Sequence, residues 1–98
     1  MSEHINYSFE KFSRATRELA ISADAIQNRL TRAADYLQIL YDSHIPETMQ
    51  DEFADLMTRL NDADFSELTD EQAVKFAEQI VDFTISLHSW QVWDARRK

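Results

Sequence analysis

The sequence predicts an all-α fold: a three-helix antiparallel bundle with a long, heptad-patterned first helix, pairing into a dimer. Three observations carry that prediction. Apolar residues recur at steps of three and four along most of the chain. Gly is absent and Pro occurs once, so little in the chain breaks a helix. No independent strand pattern is present; Val81–Ile85 alternates only within a longer helical period. The 98 residues suit a single helical domain, and a hydrophobic content of 44% can build its core.

The first helix is expected over about residues 9–42. Ile5, Phe9, Phe12, Thr16, Leu19, Ala23, Ile26, Leu30, Ala33, Leu37 and Leu40 follow one another by four and three residues in turn. Sustained, that spacing makes a narrow seam against another helix. Ser8 is placed as its N-cap, with Tyr7 and Phe12 as a hydrophobic staple. A break near Ser22 is compatible with the residues, but no Gly or Pro demands one.

The second helix is expected over about 46–61. Pro46 suits a first helical turn, and Met49, Phe53, Leu56 and Leu60 repeat the seam spacing. Phe65 and Leu68 sit in a short linker as a turn closing one end of the core. The third helix is expected over about 70–96. Thr69 and Gln72 form a capping box, and Arg96, Arg97 and Lys98 oppose the negative end of the helix dipole.

That third helix carries two apolar arcs. Ala73, Phe76, Ala77, Ile80, Phe83, Thr84, Leu87 and Trp90 share one. Val74, Val81, Ile85 and Val92 share an adjacent one, with His88 between them. One apolar stripe is enough for a surface helix, so two imply cover from two directions. A second helix about 16 residues long is also too short to cover a first helix twice its length. Both features point to self-association, through Phe12, Leu19, Ile26, Leu30, Leu37, Val74, Val81, Ile85 and Val92. The contrasting expectation is a monomeric bundle that buries the whole seam itself.

Charge narrows the partners. Residues 1–40 hold five acidic and five basic side chains, whereas residues 41–95 hold thirteen acidic ones against Arg59 and Lys75. The net charge of −8 repels phosphate, so direct nucleic-acid binding is disfavoured. It fits a second protein with a basic surface. Asp51, Glu52 and Asp55 are the expected docking carboxylates, and Trp93, on the polar arc of the third helix, is the expected aromatic anchor.

Residues with catalytic or ligating chemistry are sparse. Without Gly there is no phosphate-cradling loop, and without Cys no thiol site or disulfide. His4, His44 and His88 lack the spacing of helical metal sites. Asp62-Ala63-Asp64-Phe65-Ser66 opens like a calcium loop, but Glu67 and Ala73 stand where Gly and Glu are required. No catalytic residue, metal or cofactor is expected. No apolar run is long enough to span a membrane and no leader pattern is visible, so the expected location is cytoplasmic. The expected function is a non-enzymatic helical protein–protein interaction module (adaptor, small chaperone or regulatory subunit) acting as a homo-oligomer. The alternative is an acidic inhibitor or antitoxin-like protein that docks on the basic, nucleic-acid-binding surface of its target.

Overall fold

A computed structural model describes residues 2–21 and 24–97, with side chains from Ile5. The chain forms four helices: α1 Ser2–Ile21, α2 Ile26–Leu37, α3 Gln50–Asp62 and α4 Asp70–Arg97. Single 3-10 turns at Asp42–His44, Glu47–Met49 and Phe65–Glu67 join them. The architecture is a four-helix bundle, which corrects the three-helix expectation. The expected long first helix is two helices, and no continuous heptad rod exists among the described residues.

The reversal lies between Ile21 and Ile26. Ser22 and Ala23, where a break was compatible with the sequence, lie outside the described residues. Ala25 has extended backbone (φ −54°, ψ 148°), which no helix can contain. Charge and hydrogen bonds hold the hairpin closed. Arg32 donates from Nε to Glu18 Oε1 at 2.9 Å and from Nη2 to Asp24 Oδ2 at 2.8 Å. Those hydrogen bonds raise the Arg32 pKa above its ordinary value, from Asp24 first and Glu18 second, so the guanidinium stays charged. Arg29 Nη1 donates to the Leu19 carbonyl at 2.6 Å, satisfying one of the orphan acceptors at the end of α1.

Folding back removes the argument for a second chain along this seam. Phe12, Leu19, Leu30, Leu37 and Leu40 are all buried within one subunit. The apolar periodicity is the same on both sides of the break because α1 and α2 face the same core. Periodicity reports which side of a helix is covered, not whether two helical stretches are continuous.

Ser8 is corrected as well. It sits inside α1, fully buried, and its hydroxyl donates to the Ile5 carbonyl at 2.8 Å. Pro46 precedes a 3-10 turn, and α3 begins only at Gln50. Gln50 Nε2 ties that turn down by donating to the Asp42 and Ile45 carbonyls, each at 3.1 Å. The start of α4 follows its sequence signal. Gln72 N–H donates to Thr69 Oγ1 at 3.1 Å, and Thr69 N–H to Gln72 Oε1 at 3.0 Å. The Phe65 turn also closes the bundle end as expected, its ring meeting Phe76 edge-on at 5.9 Å.

Contacts fix an up-down-up-down order. Asn6 meets Gln91, Phe9 meets His88 and Phe12 meets Phe83, so α1 and α4 are antiparallel. Phe53 meets Phe83 and Arg59 meets Gln79, so α3 and α4 are antiparallel too. Between α1 and α4 the Thr84 hydroxyl, buried, donates to the Ile80 carbonyl at 2.9 Å and lies 3.0 Å from Thr16 Oγ1. The polar Thr16 of the apolar series is thereby satisfied inside the fold.

Leu30 is fully buried between α1 and its neighbours. Leu30→Asp is expected to lower unfolding free energy by roughly 2–5 kcal/mol, enough to unfold a domain of ordinary stability. Denaturant titration followed by circular dichroism reads this directly. A midpoint unchanged from wild type would contradict the described core.

Candidate interaction surfaces

At 28 residues, α4 is about 42 Å long. It runs the length of the molecule, whose longest dimension is 44 Å. Its rotation is set by Phe83, Ile80, Leu87 and Ala73, all buried. At 100° per residue Val74 and Val92 lie roughly 180° from Phe83, on one flank of the arc that Ala73, Ile80, Phe83, Thr84 and Leu87 bury. Ile85 lies close to that line and is 58% exposed; Val74 and Val92 are exposed too. Val81 is partly buried and packs against the core from the same side of the helix. The two apolar arcs therefore have different fates: one is core, and most of the other faces outward.

The expected self-association residues divide accordingly. Phe12, Leu19, Leu30 and Leu37 are core, and Ile26 is partly buried against it. Of the α4 set, Val74, Ile85 and Val92 are exposed, and Val81 between them is partly buried against the core. Ile21, another contact considered from the sequence, lies outside the residues whose side chains are described. Ile39 is exposed, but on a different part of the surface.

Trp93 flanks the stripe and is 55% exposed. The Arg97 guanidinium stacks over its ring at 4.8 Å while donating to Asp94 Oδ1 at 2.6 Å. Trp90, partly buried, lies 6.3 Å away. Cation–π stacking holds the indole in one orientation without burying it.

Asp51, Glu52 and Asp55 are exposed on the first turns of α3, where the helix dipole favours negative charge. Asp55 pairs with Arg59 one turn later at 3.1 Å. Asp51 lies one turn before Ala54, which lines an open groove of about 490 Å³ with Met57, Leu40 and Tyr41. Tyr41 is 72% exposed and was not singled out from the sequence. Its only sequence signal is an aromatic residue directly after the last seam position, Leu40, and before Asp42.

The remaining chemistry-bearing residues have structural partners. Asp64 Oδ1 accepts from the Ser66 amide at 3.2 Å and from the Ser66 hydroxyl at 2.7 Å, which is turn capping. His44 Nδ1 accepts from the Tyr41 amide at 2.9 Å, and its ring packs beside Tyr7. The His88 ring lies 5.4 Å from Phe9. His4 lies outside the residues whose side chains are described. Among the described residues no three His, Asp or Glu side chains converge on a cation-sized site. No helix of the described chain is long and apolar enough to cross a membrane.

Comparison with protein-family models, with curated proteins and with solved structures finds no match to this chain.

Trp93→Ala is expected to change unfolding free energy by no more than about 1 kcal/mol, because the indole is mostly solvated. Thermal unfolding checks this. A loss of several kcal/mol would mean that Trp93 is a core residue and not a surface anchor.

Proposed function

We propose that the protein is a non-enzymatic helical interaction module that works as a homo-oligomer and offers its acidic α3 side to a second, basic protein. One observation carries the reading. The longest helix commits one face to the core and leaves Val74, Ile85 and Val92, all β-branched, exposed along a flank of that face. Single exposed apolar residues are ordinary on any surface. Three of them in line on one helix, at spacings of eleven and seven residues, are instead the pattern of a helix with a missing neighbour.

The charge distribution gives the second half of the reading. Asp51 and Glu52 face solvent at the start of α3, and Asp42 lines a groove whose wall includes Tyr41 and Met57. An apolar anchor flanked by carboxylates complements a basic surface with an exposed apolar side chain. This arrangement serves an adaptor or regulatory subunit, whose work is done by surfaces and not by a reacting group.

Light scattering across a micromolar concentration series is expected to give at least twice the 11.5 kDa chain mass. Ile85→Glu is expected to return the mass to that of one chain, with helicity and thermal midpoint unchanged. A single-chain mass for the wild-type protein throughout the series would overturn the homo-oligomer.

A further inference from the structure

Resting on the reading of an acidic docking side, we infer that the groove between the end of α2 and α3 binds a short cationic segment of another protein, one bulky apolar side chain flanked by Lys or Arg. The groove, of about 490 Å³, has the size of a ligand cleft. It lies where α2 has ended at Leu37 and the chain crosses to α3 through two single 3-10 turns. Ala54, which lines it from α3, is exposed.

The lining supplies a place for an apolar side chain. Leu40 and Phe53, both buried, and Met57, partly buried, give it an apolar surface. Tyr41 stands at the same groove and is mostly solvated. Its backbone is held: the amide donates to His44 Nδ1 at 2.9 Å, and the two rings lie 5.7 Å apart. A tyrosine held this way loses little freedom when a partner covers it, which favours its use as an anchor.

Charge decides the occupant. Residues 33–58 hold six acidic side chains and no Lys or Arg. Asp42 lines the groove itself. Asp35 lies one turn before the lining residue Gln38, and Asp51 one turn before Ala54, spacings that place neighbours about 5–6 Å apart on a helix surface. All three carboxylates are exposed, and none makes an ion pair among the described residues. Arg59, the next cation along α3, is turned to other partners, donating to Gln79 on α4 and pairing with Asp55.

Unpaired carboxylates thus stand at both walls of an apolar cleft. An anionic ligand, nucleic acid included, is repelled there. An uncharged apolar segment would fill the cleft and leave the carboxylates without partners. A segment with a cation on each side of one apolar residue satisfies both walls at once, with charge steering the encounter and the apolar contact fixing the position.

Fluorescence anisotropy at low salt tests this with the labelled peptide Gly-Lys-Arg-Lys-Leu-Arg-Lys-Gly, a second with Ala for Leu, and a third with Ser for every Lys and Arg. The Leu peptide is expected to bind, the Ala peptide about tenfold more weakly, and the Ser peptide not detectably. Ala54→Arg sets a long cation into the groove from an exposed helical position and is expected to weaken the Leu peptide about tenfold. Glu78→Gln, at an exposed position of α4, makes the same change in net charge away from the groove and is expected to leave binding within about twofold. Tyr41→Ser removes the exposed ring, keeps the amide that donates to His44, and reads the same site independently, with about a fivefold loss expected. Thermal midpoints by circular dichroism accompany each variant. Equal binding of the Leu and Ala peptides, or equal weakening by Ala54→Arg and Glu78→Gln, would show diffuse attraction to the acidic surface and overturn the groove while leaving the acidic docking side standing. Equal binding of the Leu and Ser peptides would overturn the cationic occupant. No binding of any of the peptides would overturn the groove and the acidic docking side together.

Discussion

The packing of Phe83 between Phe12 and Phe53 is the contact on which the rest of the molecule depends. Its ring centroid lies 4.7 Å from that of Phe12 on α1 and 6.1 Å from that of Phe53 on α3, and Phe12 and Phe53 are themselves 6.3 Å apart. All three side chains are buried. Large aromatic rings contribute much of the apolar area of a small core and prefer tilted or edge contacts such as these. Three rings from three helices leave each helix little freedom to turn about its axis. With Phe83 pointing inward, Val74, Ile85 and Val92 must point outward. The exposed stripe is thus a consequence of how the core is satisfied, not a defect in it.

Closing the α1–α2 hairpin is the second constraint. A continuous rod would have carried Leu30 and Leu37 away from Phe12 and left the seam uncovered. Reversing the chain between Ile21 and Ile26 brings both halves of the seam to one core. Arg32 bridges Glu18 and Asp24 across the turn, and Arg29 caps the last turn of α1. Partly exposed ion pairs stabilise little by themselves. Their role here is geometric: they make the hairpin the arrangement in which the Leu19 carbonyl, Glu18 and Asp24 meet a guanidinium.

Much of this was legible in the residues, for identifiable reasons. The Thr69–Gln72 capping box marks a helix start through a short-range hydrogen-bond pattern, and local patterns survive folding. The two arcs of α4 were visible because rotation about a helix axis follows from spacing alone. The α1–α2 break was not visible, because a hairpin and a rod carry the same apolar periodicity. The sequence between the two helices also holds no strong breaker, having neither Gly nor Pro. Ser8 was misplaced because a Ser inside a helix can satisfy its hydroxyl on a carbonyl of the preceding turn, and sequence does not distinguish this from a cap. Tyr41 escaped notice because its exposure depends on how α3 packs beside the end of α2.

One subunit closes its own core, and the proposal built on that is association through the exposed stripe of α4 alone. Methyl NMR across a dilution series tests both parts together. Signals of Val74, Val81, Ile85 and Val92 should shift with concentration, while those of Leu30, Leu37, Ile80 and Leu87 stay fixed. Concentration-dependent shifts in the core set would mean that subunits share the seam itself. A stripe whose signals never move would mean that no second copy covers it. Either result would contradict the account.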